Sequence, residues 1–425
     1  MRLVMVLPEK LRQQQLKDAN EYLRKHQLFP YPDIKAARPN LHLAVVIPVH
    51  NESEVEPLLS LAECQAPFFA VEVVVVFNAA QSASAKIRVA NETLAKRLRA
   101  VEPDLPDWLQ LVVLEYNHLQ DRHAGVGLAR KLGMDFAVSR FVSVQNPNGI
   151  IVSLDADCQM TSNYLACIGD HYLKNPKDVA ATIYFEHRTT GLTEEQTSAI
   201  LRYELFLRYY VQGLAYANYP AAFHTVGSCF TVLVHAYARR GGMSRRKAGE
   251  DFYFLHKLRV LGEIGKITGC TVFPSGRVSL RTPYGTGQAV NKLTTCNPLV
   301  YSPRVFDDLR RVNAGVVSLY QTDPKNLEWP KVLWSFFHEP DAFEQLNLFR
   351  RSTASQASFK KRFYQWFDGL RVLRLVRHLN RYHGAASLES ASLELLVKID
   401  APQDARTVSG LLDVYRDLEG GRVGG

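Results

Sequence analysis

Short, unbroken apolar runs alternate with helix-length amphipathic stretches through roughly the first 300 of this chain's 425 residues. Residues 43–48 (Leu-Ala-Val-Val-Ile-Pro) form the first run, closed by a proline. Runs at 71–77, 111–114 and 149–154 follow, the last entered from the turn-like Asn146-Pro147-Asn148-Gly149. Runs this short and apolar throughout predict strands buried on both faces. Residues 53–64, 84–101 and 125–139 carry helical spacing between them, so the pattern predicts an α/β fold with a mostly parallel central sheet flanked by helices. Residues 9–26 read as a polar helix, followed by a connector punctuated by Pro30, Pro32 and Pro39. A long aromatic helix is expected at 193–217, then a Gly/Ser turn and a short strand near 230–234. From about 300 the strand signal fades, and 302–425 reads mainly as helices with a glycine-rich tail expected to fray. The domain plan is an N-terminal helical extension (1–40), an α/β domain (41–300) and a helical C-terminal region (301–425).

Ligands of parallel α/β sheets collect beyond the carboxyl ends of the strands, so the polar residues placed there carry weight. His50-Asn51-Glu52 follows the first strand, Asn78 the second, and Asp155-Ala156-Asp157, a DxD pattern, the fourth. Two carboxylates at i and i+2 can project into one crevice with only a small side chain between them. That donor set suits a hard divalent cation such as Mn2+ or Mg2+, which shares its remaining positions with phosphate oxygens. A second acidic pair, Glu250-Asp251, follows Gly249 and opens a helix. Acids there either complement the helix dipole or supply a general base.

A net charge of +9 suits an anionic partner, whether a nucleoside diphosphate, nucleic acid or acidic lipid. Zinc spacing, a helix-turn-helix and an RNP-type strand are all missing, which sets nucleic acid aside. Cys64, Cys158, Cys167, Cys229, Cys270 and Cys296 show no CxxC pair and no regular spacing, as expected of free thiols in a reducing cytoplasm. No run of about 18 apolar residues occurs, and the first eight residues lack a signal-peptide core. The expected location is the cytoplasm, soluble or peripheral at the inner face of the membrane. His123, His187, His224, His235 and His256 have no metal-ligand spacing; His224 alone, just ahead of Thr225-Val226-Gly227-Ser228, is a candidate to touch a site.

Taken in order, Ile47-Pro48-Val49-His50-Asn51-Glu52, Ala129-Arg130-Lys131-Leu132-Gly133, Asp155-Ala156-Asp157 and Gly249-Glu250-Asp251 resemble the motifs of the family 2 glycosyltransferases over about 41–290. The resemblance implies a Rossmann-like GT-A fold and a metal-assisted hexosyltransferase. Such an enzyme moves a sugar from a nucleoside-diphosphate sugar to an acceptor hydroxyl with inversion, using Mn2+ or Mg2+. It implies that Pro48, Val49 and Glu52 line the nucleotide pocket. Asp155 would face the ribose or the metal, Ala156 would border the donor, and Asp157 would ligate the metal. Asp251, beside Glu250, would be the catalytic base, and Gly227 and Ser228 would approach the sugar. The family's second strand ends in an acid; here it ends in Phe77-Asn78-Ala79, leaving Asn78 as the candidate contact to the base. The common Ala-Arg-Asn triplet reads Ala129-Arg130-Lys131, with Arg130 as the donor contact. A retaining transferase on the same fold would carry similar acids, and a non-catalytic anion-binding protein would carry a similar charge.

Three further segments bear on ligands. Gly125-Val126-Gly127 is either a turn that admits a diphosphate or a plain helix entry. Arg277 and Arg281, followed by the glycine-bounded turn at 285–287, form either a mobile clamp on phosphate oxygens or a solvated hairpin. Residues 350–381 hold nine Lys or Arg against the single acid Asp368, with Phe359, Phe363, Trp366, Phe367, Leu370, Leu373 and Val376 beside them at roughly helical spacing. This stretch either rests on an anionic membrane surface or packs as an amphipathic helix on the rest of the chain. Saccharide, lipid-linked and small-molecule acceptors all fit these features.

Overall fold

The four apolar runs fold as β1 (Leu41–Val49), β2 (Ala70–Ala80), β3 (Leu109–Leu119) and β4 (Ile150–Ser153) in the computed structural model. The structure describes residues 8–247, 249–277, 299–323, 326–337 and 342–420. β1 pairs in parallel with β2 and with β4, and β2 in parallel with β3. Flanked by a strand on either side, every residue of β1 is buried. Pro48 is tolerated in this central strand for a local reason. Val46 O accepts from Leu154 N at 3.1 Å, and strand parity turns Pro48 to that same β4 side. The β1–β4 ladder already ends at Val46 and Ser153, so no donor is missed.

The predicted helices appear as α1 (Glu9–His26), α2 (Glu56–Ala62), α3 (Ala85–Val101) and α4 (Val126–Ser143). The chain continues through β5 (Gln159–Met160), α5 (Tyr164–Lys174), β6 (Asp178–Phe185), α6 (Glu194–Tyr216), β7 (Phe230–Leu233), α7 (Val234–Arg239), α8 (Glu250–Leu258) and β8 (Glu263–Phe273). The sheet order is β3-β2-β1-β4-β7-β6-β8-β5. Its first four strands are parallel, as expected. β7 then enters antiparallel between β4 and β6, so the sheet as a whole is mixed. β5, β6 and β8 had no clear sequence signature. β6 carries Ala180 and Ala181 after Asp178-Val179, and β8 alternates with Lys266 and glycines that weaken a strand pattern.

The described parts of the chain fall into two compact units. The first comprises Met1–Leu192, Thr225–Gln288 and Glu419–Gly425, and holds the sheet. Its α4 is buried along nearly its whole length. Arg140 near its end grips Glu72 of β2 with both forks, at 2.6–3.0 Å. On the opposite side, α1 docks through a buried polar knot. Tyr22 and Tyr237 hydroxyls donate to Asp135 Oδ1 at 2.6 and 2.7 Å, while Lys131 Nζ reaches Asp135 Oδ2 and the Tyr22 hydroxyl, each at 2.8 Å. Burial and the Asp135 charge push both phenols well above their ordinary range. Lys131 therefore serves to seat the N-terminal helix.

The second unit comprises Thr193–His224 and Ala289–Leu418. It holds α6, β9 (Val300–Tyr301), α9 (Arg304–Gln321), α10 (Lys331–Phe337), α11 (Ala342–Ser352), α12 (Gln356–Trp366), α13 (Gly369–His383), β10 (Ala385–Ala386), α14 (Leu388–Lys398) and α15 (Val408–Leu418). α6 starts with a Thr193–Gln196 capping box. Its fully buried Glu204 and Arg208 pair at 3.0 Å, and Arg416 of α15 reaches the same carboxylate at 2.9 Å. In the basic stretch 350–381, Phe359, Phe363, Phe367 and Val376 are buried inside this unit. Lys360, Lys361, Arg374, Arg377 and Arg381 are exposed, the last three along one side of α13. Among the described residues no helix is long and apolar enough to cross a membrane. The glycine tail from 421 lies outside the described residues.

Removing one partner of a buried ion pair leaves the other charge uncompensated. Lys131→Met should therefore lower the free energy of urea unfolding by about 3–5 kcal/mol and strip exchange protection from the α1 amides. Unchanged values would show that the knot does not hold this helix.

Candidate active site

Because β1, β2 and β4 run parallel, their carboxyl ends open on one edge of the sheet, and the expected polar residues gather there. At the ends of β1 and β2, backbone and amide groups are sewn together. Asn78 is buried, and its Nδ2 donates to Val49 O at 3.0 Å, while His50 Nδ1 donates to the Asn78 carbonyl at 2.8 Å. Asn91 of α3 receives Asn51 N at 3.1 Å and bonds Asn117 Oδ1 at 2.9 Å. Asn51 can take its left-handed φ of 52° within this cage. Asn78 thus shapes the wall of the edge, with Pro48 and Val49 buried beneath it.

Beyond β4 the chain turns at Asp155, whose carbonyl accepts from Cys158 N at 3.3 Å. Ala156 is buried, and its carbonyl accepts from Glu56 N at the head of α2, at 3.2 Å. The carboxylates on either side stay accessible, with 38% of the Asp155 side chain and 24% of Asp157 exposed. Arg277 Nη2 reaches Glu52 Oε1 at 2.6 Å and Asp157 Oδ2 at 3.0 Å. Arg188 Nη2 donates to Asp157 O at 2.9 Å and pairs with Glu56 Oε2 at 2.7 Å. Burial, reinforced by the charges of Asp155, Glu52 and Glu56 and opposed by Arg277, pushes the Asp157 carboxyl up to about 6.

Arg130 joins this edge to α8. Its side chain is 4% exposed and makes two ion pairs, Nη2 to Asp155 Oδ1 and Nη1 to Glu250 Oε1. Gly227 lies flat against the guanidinium. A Cβ there would come within 2.7 and 2.8 Å of its terminal nitrogens, so a side chain has no room. The Gly227 carbonyl is held by Ser153 Oγ at 2.7 Å, and the buried Ser228 follows. Gly249 takes φ +68° with open space around it, so the backbone angle alone demands glycine at the head of α8. That turn aims Glu250 inward to Arg130 and sets Asp251 beside it. Burial and the neighbouring Glu250 push the Asp251 carboxyl up to about 7, against the pull of Arg130 and of Phe252 N, which donates to it at 2.7 Å.

Glu52, Asp155, Asp157, Arg277, Arg130, Glu250, Asp251 and Gly227 thus form one linked set. Arg281, the turn at 285–287 and Cys296 lie outside the described residues. Gly127 is packed on the Arg246 carbonyl, 2.0 Å from where its Cβ would stand, so protein fills that side of its turn. Burial holds His235 and His256 neutral, pushed down to about 4 and about 3. His224 belongs to the second unit. Arg188 had no motif to flag it. Its one signal is a polar Glu186-His187-Arg188 at the carboxyl end of β6, legible only once β6 is known to be a strand.

Among the described residues no three His, Cys, Asp or Glu side chains are preassembled for a divalent cation. Asp155 and Asp157 instead offer two partly exposed carboxylates two residues apart. That fits a hard cation which takes one or two protein carboxylates and completes its shell with phosphate and water.

No family model matches the sequence, and no curated protein does. Solved structures align with it at low identity. TarS residues 1–349 from S. aureus, in complex with UDP-GlcNAc, matches at 13% identity over 90% of this chain and 92% of that one, with a TM-score of 0.38. The mannosyltransferase PcManGT from Pyrobaculum calidifontis, in complex with GDP-Man and Mn2+, matches at 16% over 96% and 93%, TM-score 0.36. GalNAc-T7 with UDP, GalNAc and Mn2+ matches at 11% over 81% and 64%, TM-score 0.36. Scores at this level carry no conclusion about this chain.

An Asp251 carboxyl raised to about 7 binds its proton more tightly in the folded than in the unfolded chain between about pH 4 and 7. Its contribution to stability therefore falls as pH rises through that window. The buried neutral histidines pull the opposite way, so the effect is read as a difference. With chelator present, Asp251→Asn should gain urea stability relative to wild type at pH 8 and not at pH 4. An equal difference at both pH values would contradict the raised carboxyl.

Proposed function

We propose that the chain is an inverting GT-A-type glycosyltransferase that moves a hexose from a nucleoside-diphosphate sugar to an acceptor hydroxyl. One observation carries the reading: Arg130 ties the accessible DxD acids beyond β4 to an acid pair at the head of α8, on the edge where parallel sheets take nucleotides. The catalytic part is assigned to 41–300, with 1–40 as an extension and 301–425 as a helical region.

Asp157 and Asp155 are the proposed holders of Mn2+ or Mg2+, which when bound neutralises charge on the donor diphosphate. Pro48, Val49, Asn78 and Ala156 form the wall against which the nucleotide lies, and Glu52 faces it from the end of β1. Gly227, whose side-chain position is taken by the Arg130 guanidinium, and the buried Ser228 border the sugar. The Asp251 carboxylate takes the proton of the acceptor hydroxyl as that oxygen attacks the anomeric carbon, while the bond to the diphosphate breaks on the opposite side. Arg130 does its part by holding Glu250 and Asp155 in register. Arg277, and Arg281 after it, bind the departing diphosphate oxygens through forked donors. Exposed Lys360, Lys361, Arg374, Arg377 and Arg381 form a basic surface suited to peripheral contact with anionic lipid at the cytoplasmic face.

A release assay across nucleotide sugars with Mn2+ or Mg2+ tests the reading. Turnover with one donor is expected, lost on chelation and reduced by more than about 10³-fold in Asp157→Ala, with the product anomer inverted. No release with any donor would overturn it, and a retained anomer would overturn inversion. kcat/KM should rise with pH through a limb near 7, where the Asp251 carboxyl ionises. Asp251→Asn should abolish turnover while leaving donor binding intact. Flotation with liposomes should depend on acidic lipid and weaken in Arg374→Ser/Arg377→Ser; flotation independent of lipid charge would remove the membrane role.

A further inference from the structure

The five described cysteines carry free thiols and share one region. Cys64, Cys158, Cys229 and Cys270 lie close enough to the fully buried Tyr164 to raise its phenol. Cys167, one turn further along α5, lies beside Cys270 of β8, near enough that each thiol shifts the acidity of the other. The backbone already clamps α5 to β8 at this point. Asn163 Nδ2 donates to Gly269 O at 2.8 Å, Thr271 N to Thr161 Oγ1 at 3.1 Å, and Thr161 N to Thr271 O at 3.1 Å. Gly269 has Cys167 Sγ 3.0 Å from where its Cβ would stand. The Cys167 sulfur therefore sits over the residue next to Cys270.

The pair is asymmetric in a useful way. Cys270 is buried and Cys167 half-buried, so a small solute reaches Cys167 first. The Cys270 thiol favours a Cys167 thiolate, with help from Lys174 and the Gly269 amide, against burial and Asp170. A reachable thiolate with a resolving thiol in contact is the arrangement expected of a reversible oxidation site. Cys158 and Cys229 are buried, and Cys64 Sγ points to the Ser60 carbonyl at 3.3 Å.

We propose that Cys167 and Cys270 form a reversible oxidation site, at which a hydroperoxide drives formation of a disulfide between α5 and β8. The Cys167 sulfur attacks one peroxide oxygen, the O–O bond breaks, and the alcohol or water leaves with the Cys167 proton. The Cys270 sulfur then displaces hydroxide from the resulting sulfenic acid. The S–S bond forms, the S–O bond breaks, and water departs with the Cys270 proton. Two thiols are oxidised and one hydroperoxide reduced. The cross-link encloses β6, α6, β7, α7 and α8 in one covalent loop, which restrains the unfolded chain and raises stability. The site is independent of the proposed transferase chemistry.

The experiment treats the folded, full-length protein with hydrogen peroxide, blocks remaining thiols and maps peptides by mass spectrometry. The expected result is loss of two titratable thiols, a Cys167–Cys270 linked peptide, a higher Tm, and reversal of all three by dithiothreitol. Cys270→Ser should stop at a Cys167 sulfenic acid trapped by dimedone, and Cys167→Ser should lose the fast thiol reaction. Wild-type protein that accumulates Cys167 sulfinic acid without a cross-link, or that links Cys167 to another cysteine, would overturn the proposal. The wild-type peptide map decides this even where a serine variant folds poorly.

Discussion

One buried guanidinium organises the carboxyl edge of the sheet. Arg130 is almost inaccessible, yet it faces two carboxylates from elements far apart in the chain, Asp155 beyond β4 and Glu250 at the head of α8. A lone charge at that depth would be prohibitive, so each member of the triad depends on the others. The surroundings are built to keep it so. α4 carries Arg130 on a helix buried along its length, Gly227 gives up its side chain to let the guanidinium through, and Gly249 supplies the left-handed turn that points Glu250 inward.

The consequence is an uneven distribution of charge. Arg130 pairs with Asp155 and Glu250, while burial and the neighbouring Glu250 outweigh its pull on Asp251, whose carboxyl rises towards neutral pH. At the other end of the edge, Asp157 shares Arg277 with Glu52 and rises through burial and the charges of Asp155, Glu52 and Glu56. Two acids with raised proton affinity bracket a centre pinned by arginine. Such a gradient suits a reaction that gathers anionic phosphate at one side and removes a proton at the other.

The same α4 joins fold and site. Its outer side is claimed by α1 through Asp135, Lys131 and the two tyrosines, and its far end by Glu72 of β2. The helix that positions Arg130 is thus fastened along its length by buried polar contacts, which allow only a narrow set of geometries.

Much of this was legible in the residues themselves. The four apolar runs, the helices between them, the strand-end acids and the Gly249 turn are local features, set by side-chain periodicity and backbone sterics over a few residues. Their order along the chain was enough to suggest a nucleotide-sugar chemistry. Other features depended on distance in space. The antiparallel entry of β7, the weakly patterned β6 and β8, and the grouping of 193–224 with the C-terminal helices rest on pairings that no local window contains. Arg130 reads in sequence as a ligand contact, and only packing shows it spent on Asp155 and Glu250. Arg188 gains its place from a strand that periodicity did not reveal, and Lys131 finds its reason in a helix a hundred residues earlier. Local pattern decides which elements form. Which charges end up facing one another is decided by tertiary contact, because the energy of a buried ion depends on what surrounds it.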